Sequence, residues 1–307
     1  MPMSRRPRLI AAVIAVLAVV SLAAACGDDD DSASSTDSSL PEVKIVTQDF
    51  GENKILGQIY GQVLAAKGFK VSYQSFKDRA AIYAAIDSGD ANFYPEYAAS
   101  GLEFLNGNKG EASSDAAATV AALQKQLDSR DLTALEPAEA IDTNSLVVTK
   151  DTADSKSLTA ISDLDSSFRL GGPQDCPTNA GCIPGLQKTY GLDLSANFQP
   201  LDLSGPNTKA ALKNGDIDVA VIFSTDSSIA ENGWVVLEDD KGLFAADVVV
   251  PVVTNALAEN SELTTTVNET SKAITTEELT KLNKLFDVDK EDADTIAADF
   301  IEAQNLK

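Results

Sequence analysis

Short apolar runs alternate with helical repeats of apolar residues along the chain from residue 43 onward. The first group predicts strands at 43–46, 69–73 and 92–94 and helices at 55–64 and 79–86. Gly68 ends the first of these helices, and Asp78 caps the second. Strands that alternate with helices form parallel sheets. We therefore expect a parallel sheet with helices on its faces.

A second group repeats this pattern. It predicts strands at 146–149, 168–170, 198–203, 218–223, 234–237 and 248–253, and a helix at 186–190. The tail is helical, because Thr275–Glu278 has the pattern of a capping box and residues 292–303 have amphipathic spacing. Two α/β units with a helical tail predict two lobes around a cleft.

The first 41 residues predict a targeting segment and a linker. Arginines precede an apolar run at 9–25, which is short for a membrane span and ends in small residues before Cys26. We expect residues 1–25 to be a lipoprotein signal peptide and Cys26 to carry the lipid that holds the protein on the extracytoplasmic face of the cell membrane. An ordinary signal peptide is the alternative. Residues 26–41 are rich in Asp and Ser and predict a disordered acidic tether.

Charge and composition exclude several function classes. The formal net charge of −23 argues against a nucleic-acid partner. The chain has no histidine, which excludes histidine metal sites and Ser-His-Asp or Cys-His catalysis, so no metal or cofactor is expected. Cys176 and Cys182 have neither zinc-knuckle nor CxxC spacing. In an exported protein we expect a disulfide between them, with two buried thiols as the alternative.

A series of motifs then follows in order along the chain. The motifs are Gln48-Asp-Phe-Gly-Glu52 with Ile55-Leu-Gly57, Ile86-Asp-Ser-Gly-Asp90 with Tyr94-Pro-Glu-Tyr97, Pro184-Gly-Leu with Tyr190-Gly-Leu192, Ala211–Asp218, Ser224-Thr-Asp226 and Val236–Asp240. This series resembles the glycine betaine/choline/carnitine-binding proteins of osmoprotectant ABC importers. Each motif is weak alone, and their shared order carries the resemblance.

The resemblance implies an α/β, two-lobed periplasmic-binding-protein fold of type II with a ligand cleft between the lobes. One lobe is expected at 42–146 and 247–307, and the other at 147–246. The implied function is the extracytoplasmic solute-binding component of an ABC importer, which is not an enzyme. It would bind glycine betaine, choline or a related quaternary amine or zwitterion as a monomer and deliver it to a membrane permease.

The resemblance also implies a set of site residues. The expected ligand-binding residues are Gln48, Asp49, Tyr97, Ser100, Asn144, Asn179, Lys209, Thr225, Asp226 and Asn232. Tyr97 corresponds to a wall of the family's aromatic cage, and Ser100 to a contact with the ligand carboxylate. Asn144, Lys209 and Asn232 stand where the family has further cage tyrosines, and Asn179 stands where it has an arginine. These departures predict a more polar ligand than glycine betaine and weak glycine betaine binding.

Two aromatic residues, Phe223 and Trp234, are interpreted as core, with replacement of the lost cage aromatics as the alternative. Two other function classes stay open. A glycosidase-like exported enzyme would need two carboxylates facing each other across the cleft. A surface lipoprotein that kept the fold but lost transport would have a closed or filled cleft.

Overall fold

The computed structural model describes residues 40–174, 176–179 and 181–306. The predicted signal peptide, the lipidation site Cys26 and most of the predicted tether lie outside the described residues. Among the described helices, none combines the length and the apolar composition that crossing a membrane requires.

The described residues form two five-stranded sheets with helices around them. The strands are β1 (Val43–Gln48), β2 (Val71–Phe76), β3 (Phe93–Tyr97), β4 (Leu132–Ala134), β5 (Asn144–Val148), β6 (Leu170–Pro173), β7 (Phe198–Leu201), β8 (Val219–Phe223), β9 (Val235–Val236) and β10 (Val249–Thr254). The α-helices are α1 (Gly51–Ala66), α2 (Arg79–Asp87), α3 (Ala98–Asn106), α4 (Ala116–Leu127), α5 (Lys150–Lys156), α6 (Ile183–Tyr190), α7 (Pro206–Asn214), α8 (Ser227–Asn232), α9 (Asn255–Ala258), α10 (Ser261–Ala273), α11 (Thr276–Asp287) and α12 (Ala293–Ala303).

The first sheet has the strand order β2-β1-β3-β10-β4. β1 runs parallel to β2 and β3, as the alternation of strands and helices predicts. β10 runs antiparallel to β3 and β4, so the predicted parallel arrangement holds for β1, β2 and β3 while the sheet as a whole is mixed. Parallel neighbours need a crossover within one sheet, usually through a helix. The chain reaches β10 from the second sheet instead.

The second sheet has the order β7-β6-β8-β5-β9 and is mixed for the same reason. β6 is parallel to β7 and β8, whereas β5, which enters from the first sheet, is antiparallel to β8 and β9. Cys176 and Cys182 form a disulfide in the loop before α6, with their Cα atoms 5.1 Å apart, as the sequence predicts. Both cysteines are buried in the core of this sheet.

Helix α1 packs closely on the first sheet. A Cβ atom at Gly57 would lie 2.5 Å from Cγ2 of Thr47 on β1, so only glycine allows this approach. Ile59 and Val63 are fully buried between the sheet and the C-terminal helices. This packing fixes the first turn of α1, including Glu52, beside the end of β1.

Local signals place most elements to within a few residues. The Asp78 side chain accepts a 2.9 Å hydrogen bond from the backbone N–H of Ala81, so the predicted cap of α2 is confirmed. β2 begins at Val71 rather than at the predicted Phe69. Phe69 is buried in the preceding turn, where its N–H donates to the carbonyl of Leu64.

Two chain segments cross between the sheets side by side. Ile141 and Val248 form an antiparallel bridge, and the N–H of Asp142 donates to the carbonyl oxygen of Asp247 at 3.1 Å. Asn144 already belongs to β5 of the second sheet, three residues before the predicted start of the second lobe. The lobe boundaries themselves stay a prediction. The crossing brings the Asp142 and Asp247 carboxylates to the cleft.

Candidate functional site

The end of β1 is tied to the end of β3 by one buried side chain. Oδ1 of Asn53, in the first turn of α1, accepts from the N–H of Gln48 at 2.7 Å. Its Nδ2 donates to the carbonyl of Pro95 at 2.7 Å. In open α/β sheets, ligand sites form beyond the carboxyl ends of parallel strands. The Asn53 bridge therefore holds Phe50 and Tyr97 together at such an edge.

A cavity of about 330 Å³ opens at this edge, and we call it the aromatic cavity. Its wall includes Gln48, Phe50, Tyr97, Ser100, Asn144 and Phe223. The rings of Phe50 and Tyr97 stack with their centroids 6.1 Å apart. Phe50 is 40% exposed and Phe223 is 38% exposed, so both rings are partly open to solvent at the cavity. Open aromatic faces of this kind attract cations.

The Tyr97 ring is held by a buried carboxylate. Its hydroxyl donates to Oε1 of Glu52 at 2.7 Å, and Nδ2 of Asn283 donates to Oε2 at 2.6 Å. Burial raises the pKa of Glu52, although these two hydrogen bonds act in the opposite direction. Burial, followed by the charge of Glu52, raises the pKa of the Tyr97 hydroxyl well above its ordinary value. The hydroxyl therefore acts as a donor.

The carboxyl groups of Asp142 and Asp247 line the wall of the aromatic cavity. Oδ1 of Asp142 accepts from the Thr225 hydroxyl at 2.8 Å. Burial, and next to it the charge of Glu52, raises the pKa of Asp142 to about 8. Removing water from a carboxylate and placing a second one nearby both favour the protonated form. A bound cation would reverse this preference.

Asp247 sits at the N-terminus of α3. Its Oδ1 accepts from the backbone N–H groups of Ala99 and Ser100, at 2.7 and 3.0 Å, and its Oδ2 accepts from the Ser100 hydroxyl at 2.5 Å. Burial raises the pKa of Asp247 to about 6 despite these donors. The Ser100 hydroxyl, which the resemblance assigns to a ligand carboxylate, thus donates to a protein carboxylate.

The basic groups beside the cavities are already paired. The Arg79 guanidinium lines the aromatic cavity and donates through Nε and Nη2 to the fully buried carboxylate of Glu96. Nζ of Lys209 lies 2.7 Å from Oδ2 of Asp226. Each cation is therefore neutralised by an acidic partner, which weakens its attraction for a ligand carboxylate.

A second cavity, of about 410 Å³, adjoins the first, and we call it the acidic cavity. The two cavities share the wall residues Phe50, Asp142 and Phe223. The rest of the acidic cavity's wall includes Glu52, Thr225, Asp226, Asn283 and Asp287. Its walls thus combine carboxylates with neutral hydrogen-bonding groups.

The structure brings together six of the ten expected site residues. Gln48, Tyr97, Ser100 and Asn144 line the aromatic cavity, and Thr225 and Asp226 line the acidic one. A seventh, Lys209, reaches the site through its ion pair with Asp226. Their role in ligand binding stays a prediction.

The other three expected residues lie apart from both cavity walls. Asp49 is exposed and pairs with Lys54 at 2.6 Å. Nδ2 of Asn232 donates to the carbonyl of Ser228 within α8. Oδ1 of Asn179 accepts from the N–H of Gly181 in the disulfide loop.

Sequence reasoning missed several wall residues. Phe50 stands inside the first motif, and a phenylalanine in a turn between a strand and a helix was a usable signal. The interpretation of Phe223 as core is wrong, because its ring lines both cavities, whereas Trp234 is buried as expected. Asp142 and Asp247 gave no local signal, because they meet only through the crossing between the sheets.

Comparison with known proteins agrees with this geometry. The family model "Substrate binding domain of ABC-type glycine betaine transport system" matches residues 41–303. The glycine betaine-binding protein YehZ of Escherichia coli K12 is 28% identical over 274 residues, which cover 84% of this chain and 89% of that protein. A crystal structure of a glycine betaine/carnitine/choline ABC transporter protein superposes with a TM-score of 0.78 at 26% identity, covering 86% of this chain and 99% of the other.

Apo YehZ from E. coli superposes with a TM-score of 0.77 at 25% identity, covering 87% of this chain and all of the other. These proteins share the two-lobed α/β fold of type II periplasmic binding proteins. The family consists of substrate-binding proteins rather than enzymes. The chain belongs to the family of substrate-binding domains of ABC-type glycine betaine transport systems.

Proposed function

We propose that this chain captures a small solute carrying a quaternary ammonium group in the aromatic cavity and delivers it to an ABC permease. The observation that carries the proposal is that the rings of Phe50, Tyr97 and Phe223 line one cavity together with the Asp142 carboxylate. A quaternary ammonium has no N–H to donate, so aromatic faces and a nearby negative charge are the groups that attract it.

Five wall residues have a role in this proposal. Phe50 and Phe223 offer open ring faces to the methyl groups, and the buried Tyr97 ring supports Phe50 by stacking. Asp142 is the counter-charge. Oδ1 of Asn144 is buried and accepts no hydrogen bond from the described residues, so it suits a hydroxyl donor on the ligand.

The proposal is tested by calorimetry with choline, glycine betaine, carnitine, proline betaine and ergothioneine. At least one of these ligands should bind, and Phe223→Ala should weaken that binding about tenfold, as the loss of a cation–π contact predicts. Tyr73→Ala removes another exposed aromatic side chain, 43% exposed on β2 and outside both cavities, and should leave the affinity unchanged. Absence of binding across the panel, or equal effects of the two substitutions, would contradict the proposal.

We also propose that the protein binds without turnover and works as a monomer tethered to the membrane. Membership in a family of binding proteins supports the first point. The small residues before Cys26, followed by the acidic stretch at 26–41, support a lipid anchor on the extracytoplasmic face. Recovery of chemically altered ligand after incubation would contradict the absence of turnover.

A further inference from the structure

The acidic cavity is not needed to hold a quaternary ammonium, and its chemistry differs from that of the aromatic cavity. Four carboxylates line it, from Glu52, Asp142, Asp226 and Asp287. Of these, Asp226 is neutralised by Lys209 at 2.7 Å. The cavity therefore offers an abundance of acceptor oxygens, and a bound cation would favour the ionised form of its carboxylates.

A buried amide gives independent evidence for a missing donor. Asn283 is 5% exposed and forms part of the cavity wall. Its Nδ2 donates to two acceptors, Oε2 of Glu52 at 2.6 Å and the carbonyl of Thr225 at 2.9 Å, which fixes the orientation of the amide. Oδ1 then accepts no hydrogen bond from the described residues. Buried polar atoms without a partner are rare and indicate a ligand or an ordered solvent molecule.

The unpartnered oxygen of Asn283 cannot be satisfied by methyl groups. A quaternary ammonium offers charge but no hydrogen-bond donor, so it would leave this oxygen without a donor. A primary ammonium offers three donors and a guanidinium offers five. Charge-assisted hydrogen bonds of this kind are among the strongest that proteins form. The lining thus fits a cationic group that bears N–H donors.

The shared wall connects the two cavities. Phe50, Asp142 and Phe223 belong to both, so one extended ligand can place a group in each. We propose that the acidic cavity binds a primary ammonium or guanidinium group at one end of a ligand whose quaternary ammonium end occupies the aromatic cavity. This inference rests on the proposed function and adds the class of the ligand's second end.

The test compares two series of synthetic probes by calorimetry. One series is ω-aminoalkyl-trimethylammonium with two to five methylenes, and the other is the matched alkyl-trimethylammonium without the amine. At the best chain length the amine should increase affinity about tenfold or more, as a charge-assisted hydrogen bond predicts. Equal affinity of the two series at every length would overturn the inference while leaving the proposed function intact. If neither series binds, the proposed function fails and this inference fails with it.

Substitutions in the acidic cavity test whether its residues cause the affinity gained from the amine. Asp287→Asn, at the exposed end of α11, should reduce the ratio of the two affinities, and Asn283→Leu should reduce it further. Asp289→Asn makes the same charge change two residues away, at a carboxylate that pairs with Lys284, and should leave the ratio unchanged. Asn283 is buried, so a thermal melt first establishes that the Asn283→Leu protein folds. If this variant does not fold, the affinity ratio of Asp287→Asn alone tests the inference. A ratio that persists in Asp287→Asn and in any folded Asn283→Leu protein would overturn the inference.

Discussion

The Tyr97 hydroxyl donates a 2.7 Å hydrogen bond to Oε1 of Glu52. The ring thus belongs to the ligand cavity, while its polar end belongs to a buried network that continues to Asn283. This division separates two roles of one residue, and the two roles can be measured separately.

We predict opposite results for two substitutions of Tyr97. Tyr97→Phe should lower the free energy of unfolding by about 1–3 kcal/mol, because Glu52 loses a buried donor. It should keep ligand affinity within about threefold, because the ring face remains. Tyr97→Ala should abolish binding of the quaternary ammonium ligand. Denaturant melts and calorimetry measure the two effects.

A matched control comes from Tyr60, whose buried hydroxyl pairs with the Ser271 hydroxyl at 2.9 Å, outside both cavities. Tyr60→Phe should cost about 1 kcal/mol of stability and leave affinity unchanged. If Tyr97→Ala binds the ligand as tightly as the wild-type protein, Tyr97 is not part of the ligand site.

The second prediction concerns pH. The pKa of Asp142 is raised to about 8, so much of the free protein carries this carboxyl protonated at neutral pH. A cation binds the ionised form, so binding must release a proton. Affinity for the cation should therefore rise with pH from 6 and level off above 8. Calorimetry at several pH values, in buffers of different ionisation enthalpy, measures both the affinity and the released proton.

Asp142→Asn should bind more weakly and lose most of this pH dependence. Asp154→Asn, at an exposed carboxylate paired with Lys150, should retain it. A wild-type affinity that stays constant from pH 6 to 9 would mean that Asp142 is not the counter-charge.

Strand and helix positions were largely readable from the sequence, because apolar spacing and caps act locally. The direction of β5 and β10 was not, because it follows from where the chain changes sheets. The contact between Asp142 and Asp247 could not be predicted either, because it joins two segments that are distant in the sequence. Phe223 ends an otherwise buried run, Val219–Phe223, and only the cleft beyond the strand end explains its exposure.

Part of the candidate site could be predicted from the sequence. Tyr97 and Gln48 stand in motifs whose order carried the resemblance, and both line the aromatic cavity. The resemblance could not show that the Ser100 hydroxyl donates to Asp247. That hydrogen bond forms only because the N-terminus of α3 lies beside the segment that crosses between the sheets.

The third prediction concerns the disulfide. Cys176 and Cys182 are bonded across six residues and buried. In a soluble form that begins after Cys26, thiol counting under denaturing, non-reducing conditions should find no free thiol. Replacing both cysteines with serine should lower the free energy of unfolding by about 2 kcal/mol. Two reactive thiols in the unreduced protein would contradict the pairing.

The fourth prediction concerns the anchor. If Cys26 carries the lipid, Cys26→Ala expressed in the native host should stay unprocessed or be released from membranes. Fractionation and intact mass measure this, with the wild-type protein as the reference. Membrane attachment and mass that are the same in both proteins would rule out Cys26 as the anchor.

The last prediction is that choline binds about tenfold or more tightly than glycine betaine. Both ligands carry the same trimethylammonium group, so the aromatic rings do not distinguish them. Glycine betaine adds a carboxylate, which would face Asp142 and Asp247, while Arg79 and Lys209 are already paired with Glu96 and Asp226. Choline instead adds a hydroxyl, which can donate to the unpartnered Oδ1 of Asn144.

The two causes can be separated with a third ligand. O-methylcholine keeps the cation without the O–H donor and the carboxylate, so it should bind between the other two. Asn144→Leu should remove the advantage of choline over O-methylcholine and leave most of the penalty on glycine betaine, because that penalty comes from the carboxylates. Each tenfold step corresponds to about 1.4 kcal/mol, which calorimetric competition resolves readily. Glycine betaine binding as tightly as choline would contradict this prediction and would mean that Arg79 or Lys209 receives the ligand carboxylate despite its acidic partner.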